Sequence, residues 1–83
     1  MPTILALSST VAVGHVGLAA ITPAASLAGS TVWGLPTIIL SNHPGVPVFA
    51  GARTDPGDLR RMIDAIAEGG WLGKATALLT GYL

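Results

Sequence analysis

The apolar positions of this chain come first as unbroken runs and only later as a helical stripe. Ile4-Leu5-Ala6-Leu7 shows no alternation with polar residues. A strand that is apolar on both faces suits a parallel sheet covered on both sides. The pattern therefore predicts a buried first strand near residues 3–8. It ends in three adjacent hydroxyls, Ser8, Ser9 and Thr10. Gly14-His15-Val16-Gly17 then reads as a flexible turn into a helix of roughly Leu18 to Leu27, rich in alanine. Pro23 removes one backbone hydrogen bond from it, so a kink or a late start is expected. Gly29 suits the position just past a helix end. Thr31 to Leu40 has the β-branched and aromatic content of a strand near residues 31–38. Gly34 and Pro36 predict that its regular part stops near Leu35 and continues as extended chain. Strand, helix and strand make one βαβ unit with an expected right-handed crossover.

Ser41 to Thr54 reads as a loop with Pro44-Gly45 turn chemistry, and a loop of this length is usually functional or mobile. The second helix, near residues 56–68, carries the clearest signals. Asp55 is an N-cap, Pro56 fits the first helical position, and Asp58 complements the helix dipole. Leu59, Met62, Ile63 and Ile66 fall on one stripe, with Arg60, Arg61, Asp64 and Glu68 toward water. Gly69-Gly70 stops the helix. Ala75 to Thr80 reads as a third buried strand, before Gly81-Tyr82-Leu83. The expected class is α/β: about three parallel strands and two helices, one unit spanning 1–83. Ligands of open α/β sheets bind beyond the carboxyl ends of the strands, which directs attention to Ser9 and the segments after strands two and three.

Charge sharpens the picture. All eight charged residues lie between Arg53 and Lys74, and the first 52 residues carry none. A free-standing domain normally has charge on every element, so an uncharged half implies a membrane segment, a piece of a larger core, or a chain prone to associate. Val11 to Gly29 comes nearest to a membrane span but is broken by His15, Thr22, Pro23, Ser26 and glycines. Met1-Pro2-Thr3 offers no basic region for a signal peptide. The balanced net charge and absence of a basic cluster argue against nucleic acid. There is no cysteine, hence no disulfide or thiolate metal site.

Several motifs fail on their own terms. Gly14 to Gly17 lacks the three spaced glycines of a dinucleotide fingerprint. Gly69 to Ala75 resembles a phosphate loop superficially, but it is one residue short and Ala75 stands where Ser or Thr must hold Mg²⁺. Ser9 and His15 lack a nucleophile elbow and an orienting acid, and two histidines alone make no zinc site. Taken singly, His15 reads as a turn residue, Ser41-Asn42-His43 as a polar turn, Tyr82 as a rim aromatic, and Trp33 and Trp71 as packing residues.

Their joint order says more. Ile4-Leu5-Ala6-Leu7-Ser8-Ser9, Gly14-His15-Val16-Gly17, Val32-Trp33 with Thr37, Ser41-Asn42-His43 and Leu79-Thr80-Gly81-Tyr82 form a series across nearly the whole chain. The series resembles the N-terminal part of the pyridoxal kinases of the ribokinase-like superfamily. Ser-Asn-His after the second strand and Thr-Gly-Tyr after the third are the specific pieces. The resemblance implies part of a three-layer α/β/α fold and a vitamin B6 pocket. Ser9 would hydrogen-bond the pyridine ring and Val16 would form an apolar wall. His43 and Pro44 would belong to the loop folding over the substrate, and Tyr82 would be the pocket tyrosine. Pro44 stands where many relatives have Thr, Ser8 where they have Gln, and Leu18 where they often have Asn.

The resemblance further implies ATP and Mg²⁺, with their sites outside this chain, pyridoxal or a related vitamer as substrate, a homodimer and a cytoplasmic location. The Gly-Thr-Gly-Asp motif that supplies the family's anion hole and catalytic Asp has no counterpart here. No catalytic and no metal-binding residue is therefore expected in this chain. Two other readings stay open: a non-catalytic truncated binding domain, and a small membrane-associated protein using Val11 to Gly29.

Overall fold

A computed structural model describes residues 2–81. The elements run β1 (Thr3–Val11), α1 (Leu18–Leu27), β2 (Thr31–Leu40), β3 (Gly51–Arg53), α2 (Pro56–Glu68), a short 3₁₀ turn (Leu72–Lys74) and β4 (Ala77–Thr80). The strands form one sheet in the order β3-β2-β1-β4. β1 pairs in parallel with β2 on one side and β4 on the other, while β3 runs antiparallel to β2. The apolar run that starts the chain is thus the inner strand, and its Leu5, Ala6 and Val11 are buried.

The helices lie on opposite faces. Ala6 stands beside Gly34, and Leu18 of α1 rests on that face: a Cβ at Gly34 would lie 3.1 Å from Leu18 Cδ1. The other face belongs to α2. There Leu7, Thr37, Pro56 and Leu59 line one crevice, and Trp33, Ile66 and Trp71 another. Sheet and helices make the three-layer α/β/α arrangement, in part.

Both helices begin and end where their local sequence directs. α1 keeps Pro23 inside it and starts at Leu18, so no late start occurs. It closes with Gly29 N–H on the Ser26 carbonyl and Ser30 N–H on the Ala25 carbonyl, the paired bonds of a Schellman motif. Asp55 caps α2 through Asp58 N–H at 3.1 Å. α2 ends the same way as α1, with Gly70 N–H on Ala67 and Trp71 N–H on Ile66. That closure swings Trp71 back over Ile66, where it meets Trp33 edge-on at 6.1 Å, and Lys74 Nζ lies 4.7 Å from the Trp71 ring. The glycine-rich stretch from Gly69 is therefore a helix stop and an aromatic packing turn. It leads into a strand and not into a phosphate-binding helix.

Three expectations need correction. The second strand does not stop near Leu35 but continues to Leu40. At Pro36 β2 has a strand ladder on only one side, because β3 covers only Ile38–Leu40, and a position outside that ladder tolerates a residue without N–H. The segment 41–54 is not all loop, since Gly51–Arg53 adds a fourth, antiparallel strand. The third parallel strand is ordered but not buried: β4 is exposed along its length, Leu78 at 66%, because it forms the open edge of the sheet. Val11 to Gly29 is divided between a strand end, an exposed turn and a ten-residue helix, and no described helix is long and apolar enough to cross a membrane.

Candidate functional site

β1 and β2 both end at the same edge of the sheet, and the register is irregular there. Thr37 and Ile38 stand opposite the single residue Ser9. The carbonyls left over on β2 are taken up from beyond β3: Thr54 Oγ1 donates to Pro36 O at 2.6 Å and Thr54 N–H to Thr37 O at 2.9 Å. Bulges re-aim side chains at sheet ends.

The turn after β1 closes on Ser9. Gly17 has φ 57° and ψ −133°, and a Cβ there would lie 2.0 Å from the Ser9 carbonyl oxygen and 2.7 Å from Ser9 Oγ. Only glycine can make this approach. It brings Val16 beside Ser9 just before α1 begins.

The second wall comes from the segment after β2. Ala12 and Val13 donate to the carbonyls of Leu40 and Ser41, each at 2.9 Å, which ties the loop's start to the end of β1. His43 Nδ1 accepts from Gly45 N–H at 2.8 Å. An Nδ1 that accepts carries no proton, so the neutral ring bears its hydrogen on Nε2.

These elements enclose a cavity of about 400 Å³ lined by Ser9, Val16, Ile38, Leu40, His43 and Pro44. None of the described residues that line it is charged. Its walls are apolar, with a hydroxyl and an imidazole as the polar side chains. That combination accepts a small, flat, uncharged or weakly polar ring better than a phosphate or a metal ion. Four of the five residues expected from sequence, Ser9, Val16, His43 and Pro44, thus share one cavity. Tyr82, the fifth, lies outside the described residues. Its neighbour Gly81 sits beside the end of β1, with its N–H on Leu7 O at 2.8 Å. His15 is exposed and does not line the cavity. Ile38 and Leu40 were not singled out as lining residues; the signal was their place on the carboxyl-terminal half of β2, masked by the expectation that the strand had already ended.

Among the described residues no group of three His, Cys, Asp or Glu could hold a metal. The acids sit elsewhere: Asp55 caps α2, Asp58 pairs with Arg61, and Asp64 pairs with Arg60 at 3.9 Å, all on exposed surface.

The three-layer arrangement, with a cavity at the strands' carboxyl ends, is a partial α/β unit of ribokinase-like form. No protein-family model matches the chain. A pyridoxal kinase from Rubrobacter xylanophilus is 41% identical over 81 residues, which covers 96% of this chain and 28% of the relative. The solved pyridoxal kinase from Leishmania donovani in complex with ADP and pyridoxamine superposes with a TM-score of 0.92 at 34% identity, covering 96% of this chain and 28% of that one. The enzyme from Trypanosoma brucei gives 0.91 at 35% identity, with 96% and 29% covered. By sequence and by fold the chain is similar to part of these pyridoxal kinases. It spans somewhat over a quarter of their length.

Proposed function

We propose that this chain is the substrate-side portion of a pyridoxal kinase, which phosphorylates the 5′-hydroxymethyl group of pyridoxal or a related B6 vitamer with ATP. The observation that carries the reading is the convergence of Ser9, Val16, His43 and Pro44 on one uncharged cavity at the ends of β1 and β2. A pyridine ring needs a hydrogen-bonding partner in its plane and apolar surface against its faces. Ser9 and the His43 imidazole supply the first; Val16, Ile38, Leu40 and Pro44 supply the second. The ADP complexes of the Leishmania enzyme support ATP as the phosphoryl donor. The same reading makes the whole protein a cytoplasmic homodimer.

The residues present do not fit a nucleotide triphosphate or Mg²⁺. No metal-ligating group of three exists among the described residues, and the acids are engaged on α2. Phosphoryl transfer depends on groups that position the phosphates and stabilise the developing charge. Here the chain's own work is to bind and orient the ring and to exclude water from its faces. Pyridoxal titration followed by absorbance tests the reading. In a protein carrying the full kinase length, Ser9→Ala should weaken pyridoxal binding by roughly 1–3 kcal/mol, the usual cost of leaving a polar partner unsatisfied, with ATP affinity nearly unchanged. An unaltered pyridoxal affinity would remove Ser9 from the site. Pyridoxal binding without turnover by that longer protein would make it a non-catalytic B6-binding domain.

A further inference from the structure

The segment between β2 and β3 forms one wall of the cavity, yet almost nothing apolar holds it. Every residue of 41–50 except Asn42 is exposed, including Val46, Val48 and Phe49. An exposed loop that buries no side chains keeps one shape only through its hydrogen bonds. Gly45 N–H on His43 Nδ1 and Val46 N–H on His43 O are local turn bonds; the side-chain bonds that cross the loop run through Ser41 and Asn42. Ala50 N–H donates to Ser41 Oγ at 2.9 Å, and Ser41 Oγ donates to Asn42 Oδ1 at 2.7 Å. Asn42 Nδ2 then donates across the loop to Val48 O at 3.0 Å and back to His43 O at 3.3 Å. Ser41 ties only the neck, where Ser41 N–H also reaches Ala50 O at 2.7 Å. The carbonyls of His43 and Val48, on the two arms of the loop, are joined through the Asn42 amide.

We propose that Asn42 is the positioning residue of this site: its amide clamps the two arms of the loop and so holds His43 and Pro44 against the cavity opened by Ser9 and Val16. It is not among the residues that line the Ser9 cavity and acts through its neighbours. A loop in closed form for only a fraction of the time lowers the apparent affinity by that fraction. The binding half of the proposal rests on the reading of the cavity as a B6 pocket; the clamping half does not.

Asn42→Asp separates the donor from the rest, since it keeps the size of the side chain and the Oδ1 acceptor but loses the Nδ2 hydrogens. Asn42→Ala removes both. Amide hydrogen exchange of the 83-residue chain is read on a peptide covering 41–50 and, as internal control, on one covering 3–11. Both variants should exchange about tenfold faster in 41–50, as expected for the loss of two hydrogen bonds, with 3–11 unchanged. In a protein carrying the full kinase length, pyridoxal should bind about tenfold more weakly to both. Unchanged exchange in 41–50 overturns the clamp. A rise that spreads equally to 3–11 in both variants also overturns it, in favour of a general structural role. A loosened loop with unaltered pyridoxal affinity overturns the link from clamp to cavity. Absence of pyridoxal binding by the unmutated protein overturns the B6 reading, and the exchange data then decide the clamp on their own.

Discussion

Gly17→Ala should damage this protein far more than a glycine substitution at the surface. The residue combines two demands that are separable by experiment. Its φ of 57° with ψ of −133° is a region essentially closed to residues with a Cβ, worth about 1–3 kcal/mol of strain. The new Cβ would also stand 2.0 Å from the Ser9 carbonyl oxygen, well inside contact distance. Relief requires either β1 or the turn to move, and Ser9 Oγ moves with it. Gly29 is the control. It has φ 83° and nothing within 4 Å of an added Cβ, so Gly29→Ala carries backbone strain alone, about 1–2 kcal/mol. Gly17→Ala should lose about 3 kcal/mol or more. For a domain of this size each kcal/mol lowers Tm by roughly 4–8 °C, so the two variants should differ by about 10 °C. Thermal or urea unfolding followed by the fluorescence of Trp33 and Trp71 gives the measurement. Equal losses in the two variants would show that the turn relaxes freely and that Ser9 is not fixed by Gly17. The Gly17 variant should also bind pyridoxal more weakly than the Gly29 variant.

Three further outcomes are expected. The 83-residue chain should release no ADP in a coupled assay with pyridoxal, ATP and Mg²⁺, because its acids serve α2 and the transition state has nothing here to stabilise it; robust ADP release would overturn the assignment of this chain to the substrate side. The chain should associate in a concentration-dependent way on size exclusion, since Leu78 and Val48 are 66% and 84% exposed on surfaces without charge, and a single monomeric species at all concentrations would contradict this. Asp55→Ala should lower stability by about 1 kcal/mol, and Tm by roughly 4–8 °C, through loss of the cap on Asp58 N–H; an unchanged midpoint would show that the cap adds nothing in this context.

What the sequence made legible was local. Asp55-Pro56 and Gly69-Gly70 bound α2 because caps and left-handed glycines act within a few residues of themselves. The unbroken run Ile4 to Leu7 announced an inner parallel strand because burial on two faces leaves no polar position. What it hid depends on partners distant in sequence. Gly34 and Pro36 read as breaks in β2, yet Gly34 makes room for Leu18 and Pro36 lies outside the Ile38–Leu40 stretch that pairs with β3. Gly51-Ala52-Arg53 has no strand propensity of its own and is a strand only because Ile38 to Leu40 offer an edge. Burial of β4 was read from its composition, whereas its exposure follows from its place in the strand order. The cavity followed the same division. Its polar residues stood out in short motifs, and Ile38 and Leu40 emerged only with the register.

The strand order has a consequence in time. β1 is made before the other described elements, and it takes a parallel strand on each side. Its first neighbour arrives some 30 residues later, and its second only with Ala77 to Thr80. Reciprocal bonds between Thr3 and Thr76, Thr3 N–H to Thr76 Oγ1 and Thr76 N–H to Thr3 O, span 73 residues of chain. Contacts so far apart in sequence must bear their loop-closure entropy before they return any stability. During synthesis this inner strand therefore keeps one edge open until Ala77 to Thr80 have emerged. Vectorial synthesis thus asks for a chaperone, or for fast sheet closure, at the amino-terminal end, where the chain carries no charge to keep it apart from its copies.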